Sequence, residues 1–119
     1  MQNNAKISIV TINYNNPSGL KKTIESVVNQ TWKNFEYIII DGGSTNGDVE
    51  IIQSYQDQIN YWVSEPDKGV YIAMNKKKKK ATGDFIIFMN SGDVFNDNNV
   101  LENTVPLFNK DAYFIYGNN

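Results

Sequence analysis

The sequence contains neither cysteine nor histidine, and each absence excludes a class of chemistry. Without cysteine the chain can form no disulfide, no thiolate zinc site and no thiol nucleophile. Without histidine it lacks the commonest general base and metal ligand of proteins. Any chemistry must therefore use carboxylates, lysine, tyrosine, hydroxyl groups or a bound metal ion.

Long hydrophobic runs and a strong net charge are also missing from the 119 residues. No apolar stretch approaches the roughly 20 residues of a membrane span, and the N-terminus lacks the basic and apolar segments of a signal peptide. The net charge of −2 gives no general attraction to nucleic acid or anionic lipid. A hydrophobic content of 40% is typical of a folded domain, so we expect one soluble, cytoplasmic domain.

Short apolar runs alternate with amphipathic segments along the chain. Runs of this length that end at turn residues are typical of buried strands, and their alternation with helices favours a mostly parallel sheet with helices on both faces. The predicted strands cover residues 7–12, 35–40, 60–64, 85–89 and 112–116, and the predicted helices begin at residues 17 and 48 and after residue 93. Because the chain stops directly after the fifth strand, we expect an α/β fold that is truncated at its C-terminus.

Carboxylates occur at three of the predicted turns, as Asp41, Asp67 and Asp93. The carboxyl ends of parallel strands meet at the edge where open α/β sheets bind their ligands. Three acidic residues on successive turns therefore predict a single site for a polar ligand and a metal ion.

Asp41 begins the run Asp41-Gly42-Gly43-Ser44, in which paired glycines allow a sharp turn and a close approach to a ligand. Two interpretations stay open for this carboxylate. It fits a turn or helix N-cap that supports Ser44, and it fits an acceptor for the base or ribose of a nucleotide. Tyr14 follows the first strand at the same edge, where its ring fits either a cover over the core or a stacking surface for a planar base.

The turn Asn90-Ser91-Gly92-Asp93 offers one carboxylate and two neutral oxygen donors. Such a set suits a hard divalent cation that keeps waters and takes further ligands from phosphates, although an ordinary Asx turn has the same residues. Because a lone carboxylate binds Mg²⁺ or Mn²⁺ weakly, we expect the metal and a diphosphate ligand to bind together.

Five consecutive lysines, residues 76–80, form the one low-complexity segment of the sequence. A solvated helix face is the usual structure for a charge run, yet Lys77 and Lys78 fall where an apolar stripe should continue. Either their stems lie along apolar surface with the charges reaching water or phosphate, or the helix ends early. An isolated basic run in an acidic chain does not make a nucleic-acid surface.

Taken in order, these motifs resemble the nucleotide-sugar-binding half of family 2 glycosyltransferases, an inverting group with a GT-A (Rossmann-like) fold. The resemblance spans nearly the whole chain, and the ordered set is specific although no single motif is. The motifs that carry it are Ser8-Ile9-Val10-Thr11, Tyr14-Asn15, residues 20–32, residues 35–44, Glu65-Pro66-Asp67-Lys68-Gly69-Val70-Tyr71, Ala73-Met74-Asn75-Lys76, Ala81-Thr82-Gly83-Asp84 and Asn90-Ser91-Gly92-Asp93.

The resemblance implies roles for individual residues. Thr11, Tyr14 and Asp41 would hold the base of a nucleoside-diphosphate sugar, with a UDP-sugar favoured. Asp93 matches the last acidic position of the family's metal motif, where Mn²⁺ or Mg²⁺ would stabilise the departing nucleotide. The implied donor-binding residues are Thr11, Tyr14, Asp41, Ser44, Asp67, Lys68, Gly69, Asn75 and Lys76.

Some features depart from the family pattern. Ile72 stands where this subgroup usually has an aspartate, and the turn at Asp93 keeps only one carboxylate of the acidic motif. The family's general base and its acceptor-binding part lie beyond Asn119. The resemblance therefore implies that residues 1–119 are the nucleotide-sugar-binding part of a GT-A domain, without the catalytic base or the acceptor-binding part.

The implied function of the complete enzyme is inverting transfer of a sugar to the hydroxyl of a saccharide or lipid-linked acceptor. Such enzymes commonly build surface polysaccharides, which implies peripheral contact with the inner face of the membrane. Two other classes remain as alternatives. A non-catalytic nucleotide-sugar-binding module would need no second half, and a receiver-like or flavodoxin-like signalling domain also carries acidic loops on an α/β sheet.

Overall fold

The computed structural model describes residues 6–66, 84–104 and 113–116. Strands and helices alternate through these ranges, and a short 3₁₀ turn, Gln56–Gln58, follows the second helix. The elements in chain order are β1 (Ile7–Asn13), α1 (Pro17–Val28), β2 (Phe35–Asp41), α2 (Asp48–Ser54), β3 (Tyr61–Ser64), β4 (Phe85–Asn90), α3 (Val100–Thr104) and β5 (Tyr113–Tyr116).

The strands form one sheet in the order β3-β2-β1-β4-β5, and every neighbouring pair is parallel. The chain moves outward from β1 through β2 and β3, then returns to the other side of β1 with β4. This reversal creates a switch point between β1 and β4 at the centre of the sheet. The parallel α/β fold predicted from the sequence is thereby confirmed.

Three strands run one residue farther than their apolar runs predict. β1 ends at Asn13, β2 at Asp41 and β4 at Asn90, because polar residues at these positions continue the ladder. Asn13 pairs with Asp41, and Ile12 pairs with Asn90. The polar residues predicted to begin loops are therefore held in the sheet, with positions fixed by backbone hydrogen bonds.

Alternation along the strands divides the buried apolar side chains between two faces of the sheet. One cluster contains Ile9 and Ile39 together with residues from all three described helices, among them Ile24 of α1 and Leu101 of α3. The other face carries a smaller buried cluster, formed by Val10, Ile38, Ile40 and Ile86. The described helices thus pack on one face, and helices on the second face stay a prediction.

The start of α1 lies next to the carboxyl edge of the sheet. Pro17 occupies the first helical position, where its fixed φ suits the helix and its missing N–H costs nothing. Asn16 caps the helix, because its Oδ1 accepts a hydrogen bond from Gly19 N at 3.2 Å.

Within the described ranges, no helix has the length and apolar character needed to cross a bilayer.

Candidate functional site

The carboxyl ends of β1, β2 and β4 lie side by side at one edge of the sheet. The register places Asn13 level with Asp41, and Ile12 level with Asn90. The loops after β1 and β4 leave from the switch point, where open parallel sheets bind their ligands. Asp93 N donates to Asn90 O at 2.9 Å, so the Asp93 turn begins at the same edge as Asp41.

Asp41 is buried at the end of β2, with 0% of the residue exposed. Its Oδ1 accepts hydrogen bonds from the Ser44 hydroxyl at 2.6 Å and from Asn13 Nδ2 at 2.7 Å. Its Oδ2 accepts from Ser44 N at 2.8 Å, Ser64 Oγ at 2.8 Å and Gly43 N at 3.2 Å. Both oxygens are therefore satisfied inside the protein, and contact between Asp41 and a ligand stays a prediction.

The same hydrogen bonds control the ionisation of Asp41. Burial on its own raises the pKa of this carboxyl, because it disfavours the charged form. Hydrogen bonds from Ser44, Ser64 and Asn13 together outweigh burial and hold the pKa of Asp41 below its ordinary value. Asp41 is therefore a buried carboxylate anion at neutral pH.

Tyr14 forms the exposed surface of this edge, with 65% of the residue accessible. Its ring lies against Gly42, since a Cβ at position 42 would stand 3.2 Å from Tyr14 Cδ1. Gly43 has a φ of 88°, a backbone conformation that favours glycine. Gly42 therefore leaves room for the ring and Gly43 allows the turn, and the exposed surface of the ring suits stacking on a planar base.

Thr11 lies beneath the edge, in the core. It is 0% exposed, and its Oγ1 is 2.7 Å from the hydroxyl of Tyr37. Position 11 shares the side of β1 occupied by Ile9, so the side chain faces the helices. Burial raises the pKa of Tyr37, which keeps this hydroxyl neutral. Thr11 has no surface that a ligand could touch here, so the structure gives it a supporting place, and its predicted contact with a donor stays a prediction.

Ser44 connects the loops that follow β1 and β2. Its hydroxyl donates to Asp41 and accepts a hydrogen bond from Asn15 N at 2.8 Å. Asn15 in turn accepts a hydrogen bond at Oδ1 from Thr45 N at 2.8 Å. Ser44 is half-buried, so the structure leaves part of this predicted donor-binding residue at the surface.

The Asp93 turn is held from two sides. Asn90 N donates to Asp93 Oδ2 at 2.9 Å. Thr23 of α1 donates to Asp93 O at 2.7 Å and accepts from Gly92 N at 2.9 Å. In the part of the chain that the structure describes, no three acidic side chains gather as a metal site, so a cation at Asp93 would need oxygens from a bound phosphate.

Part of the predicted site falls outside the described residues. This holds for the roles assigned to five donor-binding residues, which therefore stay predictions. They are Asp67, Lys68, Gly69, Asn75 and Lys76. Ile72 and the lysine run at residues 76–80 lie outside the described residues as well.

Asn13 is a central residue of this edge that the sequence analysis did not single out. It is 2% exposed, and its Nδ2 donates to Asp41 Oδ1 at 2.7 Å and to Asp48 Oδ2 at 2.8 Å. Its Oδ1 accepts from Ser91 Oγ at 2.6 Å. The sequence contains one feature that could have identified Asn13, namely a polar residue at the end of a buried strand. A buried polar residue needs hydrogen-bond partners, so its side chain connects other parts of the structure.

Asp48 is the second fully buried carboxylate at this edge, with 0% exposure. It is the first residue of α2, where a negative charge is favoured by the helix dipole. Its Oδ2 accepts from Asn13 Nδ2 and from Asn16 N, both at 2.8 Å, whereas its Oδ1 has no partner among the described residues. The sequence analysis predicted this residue only as the start of a helix.

A separate groove of about 510 Å³ opens near the start of β2, at the opposite edge of the sheet. Its lining includes Glu25, Lys33 and Tyr55, and the Tyr55 hydroxyl donates to Glu25 Oε2 at 2.8 Å. No predicted site residue lines this groove. We therefore place the candidate site at the carboxyl edge.

Comparison with known sequences gives a family match across most of the chain. The family model for Glycosyl transferase family 2 matches residues 8–119. An uncharacterized glycosyltransferase of Mycobacterium tuberculosis is 38% identical over 100 residues, which cover 83% of this chain and 38% of the relative. The putative teichuronic acid biosynthesis glycosyltransferase TuaG of Bacillus subtilis is 32% identical over 90 residues, covering 73% of this chain and 36% of TuaG. The chain thus spans little more than a third of the length of these relatives.

Solved structures share the fold. TarS of S. aureus superposes with a TM-score of 0.72 at 25% identity, over 85% of this chain and 19% of TarS. The mannosyltransferase PcManGT of Pyrobaculum calidifontis, solved with GDP-Man and Mn²⁺, superposes with a TM-score of 0.70 at 18% identity, over 83% of this chain and 31% of that protein. These likenesses show that the sheet and helices have the GT-A arrangement.

Acidification should destabilise the fold through Asp41. The pKa of Asp41 is lower in the folded chain than the value of about 3.9 expected when unfolded, so the unfolded state binds the proton first. Its stabilising contribution is therefore complete above about pH 5 and is lost as the pH falls through the folded pKa. Asp41→Asn, which turns an amide toward hydrogen-bond donors, should lower the free energy of unfolding by about 1–3 kcal/mol at neutral pH.

Urea titrations of the wild type and Asp41→Asn at neutral pH and near pH 3 measure this effect. The difference in the free energy of unfolding between the two proteins should shrink at the lower pH, because the unfolded wild-type chain then binds a proton at Asp41 that the folded chain binds less readily. Asp57→Asn, at an exposed position, controls for the loss of one negative charge. An equal difference in the free energy of unfolding at both pH values would contradict the proposed stabilisation by the Asp41 carboxylate.

Proposed function

Because the chain belongs to glycosyltransferase family 2, we propose that the carboxyl edge of its sheet binds a nucleoside-diphosphate sugar as the donor for glycosyl transfer. One observation carries the proposal. The exposed ring of Tyr14 and the acidic turn at Asp93 lie at the same edge, joined through the buried side chain of Asn13. An aromatic surface beside an acidic turn suits a ligand with a planar base at one end and a diphosphate at the other.

The base of the nucleotide would lie against Tyr14. Its ring rests against Gly42 and is otherwise exposed, so a base can stack on it without reorganisation of the backbone. Asp41 supports this turn from below, because its carboxylate accepts hydrogen bonds from Gly43 N and Ser44 N. We favour a uridine nucleotide, which is the commonest donor type that the family resemblance implies.

The diphosphate end would lie at Asp93, together with Mn²⁺ or Mg²⁺. The Asp93 carboxylate and the side-chain oxygen of Asn90 form a hard donor set that fits either ion once phosphate oxygens are added, whereas the Ser91 hydroxyl is held by Asn13. When bound, the ion would neutralise charge that develops on the departing nucleotide. The protein's own contribution is orientation, because Thr23 and Asn90 N fix the backbone and carboxylate of the turn.

Transfer to an acceptor requires a further group. Inverting displacement needs a base within hydrogen-bond reach of the acceptor hydroxyl. Among the described acidic residues at this edge, Asp41 and Asp48 are fully buried, Asp93 is assigned to the metal, and Glu65, exposed after β3, lies beside Asp41 on the side proposed for the base of the nucleotide. We therefore propose that residues 1–119 bind the donor and that the base and the acceptor site come from protein outside them.

For the whole enzyme we propose inverting transfer to a saccharide or lipid-linked hydroxyl in surface polysaccharide biosynthesis. The relative TuaG, whose name assigns it to teichuronic acid biosynthesis, supports this class of product. Such transfer would take place in the cytoplasm at the inner face of the membrane, where a lipid-linked acceptor is available.

A signalling role is disfavoured by the state of Asp41. A receiver-like domain needs an accessible carboxylate oxygen to accept a phosphoryl group. Asp41 is 0% exposed, and hydrogen bonds from the protein satisfy both of its oxygens. The family match points the same way.

UDP should bind to this chain weakly, and more tightly when Mn²⁺ is added. Tyr14→Ala should weaken binding about 5- to 100-fold with or without metal, since base stacking on an aromatic ring is worth about 1–3 kcal/mol. Tyr14→Phe keeps the ring and should retain most of the affinity. Asp93→Ala should abolish only the gain that Mn²⁺ produces.

Isothermal titration calorimetry with UDP, in Mn²⁺ and in EDTA, measures all four proteins. Tyr14→Ala should lower the affinity for UDP in both conditions, whereas Asp93→Ala should lower only the affinity measured in Mn²⁺. Affinities that are the same across the wild type and the variants would reject the assignment of Tyr14 and Asp93.

Residues 1–119 should show little or no transfer of sugar to acceptors, because the described acidic residues at the edge are buried, assigned to the metal or, for Glu65, on the side proposed for the base of the nucleotide. Slow hydrolysis of the donor is compatible with the proposal, since water can attack in place of an acceptor. Release of UDP from UDP-sugars, measured with and without saccharide acceptors, tests this expectation. Robust metal-dependent transfer that Asp93→Ala removes would show that the base lies within these residues.

A further inference from the structure

We propose that Asn13 is a positioning residue that fixes the metal-binding turn in register with the nucleotide-binding loops. The inference rests on the proposed function of the carboxyl edge and adds a residue that would touch neither base nor metal. Asn13 is 2% exposed, so its side chain can act only through its neighbours.

One carboxamide joins both ends of the β2–α2 loop to the turn after β4. Its two N–H bonds point to Asp41 at the end of β2, at 2.7 Å, and to Asp48 at the start of α2, at 2.8 Å. Its oxygen accepts the hydroxyl of Ser91, in the turn after β4, at 2.6 Å. A longer contact of 3.4 Å joins Nδ2 to Ser44 Oγ. Asn13 therefore connects the β2 side of the site with the β4 side.

The two junctions of this edge are built differently. The loops after β1 and β2 are also joined by Gly42 N to Asn13 O at 2.9 Å and by Thr45 N to Asn15 Oδ1 at 2.8 Å. Across the β1–β4 junction, the Ser91 hydroxyl makes the short side-chain contact, whereas Asn16 Nδ2 reaches Ser91 O only at 3.3 Å. Backbone bonds such as Ser91 N to Ile12 O, at 3.1 Å, hold the turn but do not tie it to Asp41.

An amide is the side chain that this position requires. It supplies two donors to two carboxylates and one acceptor to a hydroxyl, which matches its hydrogen-bonding capacity. A carboxylate at position 13 would place a third negative charge beside Asp41 and Asp48. An alanine would remove one of the donors to Asp41 Oδ1, one of the two donors to Asp48 Oδ2 and the acceptor of the Ser91 hydroxyl, next to Asp48 Oδ1, which has no partner among the described residues.

The bond between Asn13 and Ser91 should affect how well one nucleotide reaches Tyr14 and the Asp93 turn together. A nucleoside diphosphate has a limited reach between base and diphosphate, so a shift of the Asp93 turn relative to Tyr14 weakens simultaneous binding of both ends. Removing the Asn13–Ser91 link should therefore reduce the benefit that metal adds to nucleotide binding. It should leave the base contact itself in place.

The test is the ratio of UDP affinity in Mn²⁺ to UDP affinity in EDTA, measured by calorimetry. Ser91→Ala should lower this ratio about threefold to tenfold, the range expected for one net hydrogen bond, without changing the affinity in EDTA. Ser91→Thr keeps the hydroxyl and should restore the ratio. Asn13→Ala should lower the ratio by a similar factor and also weaken binding in EDTA, because Asp41 loses a donor.

Asn15→Gly is the matched control, because it removes the bond from Thr45 N, accepts the φ of 45° at this position and leaves the β4 turn untouched. It should change both affinities equally and leave the ratio at the wild-type value. If Asn13→Ala fails to fold, Ser91→Ala alone decides. In the double variant the ratio should fall no further than in either single variant, since both substitutions remove the same bond.

The outcomes separate this inference from the function on which it rests. A wild-type ratio well above one that persists unchanged in Ser91→Ala would overturn the role of Asn13 and leave the donor site standing. A wild-type ratio of one would overturn the metal assignment at Asp93 and the register argument with it.

Discussion

Two buried carboxylates, Asp41 and Asp48, set the condition that the loops at the carboxyl edge must satisfy. Both are 0% exposed, and within residues 6–66 and 84–104 neither forms an ion pair with a lysine. Burying a carboxylate is costly unless hydrogen bonds replace its water shell. The donors to these two side chains come from three strand ends and their loops, and their hydrogen bonds hold these segments in one mutual arrangement, although Asp48 Oδ1 has no partner among the described residues. The side chains of the edge are therefore positioned by the register of the sheet.

This condition divides the edge into a supporting layer and an exposed surface. The supporting layer consists of Asn13, Asp41 and Asp48, whose polar atoms bond mainly to one another and to loop backbone. Tyr14 and the turn that carries Asp93 lie above it, where a ligand can reach them. A nucleotide that binds here does not have to order the loops first. Preorganised sites gain affinity because this ordering cost is absent.

The sequence predicts the strands and the ligand edge well, because buried parallel strands are continuous apolar runs that end at polar turns. The sequence also places Thr11 two residues after Ile9 on β1, so both side chains point to the same, core-facing side of the strand. The sequence analysis did not use this spacing. The partners of Asp41 could not be predicted. Asn13 and Ser64 lie 28 and 23 residues away along the chain, and only the sheet register brings them to the carboxylate. Local turn chemistry predicts Ser44 alone, three residues on.

A crystal structure of the chain with UDP and Mn²⁺ tests the central claim most directly. The account predicts the uracil ring stacked against Tyr14, the metal coordinated by Asp93 and the diphosphate, and the carboxylate of Asp41 still bonded to its protein donors. A nucleotide bound instead in the groove lined by Glu25 and Tyr55, or a metal away from Asp93, would contradict it.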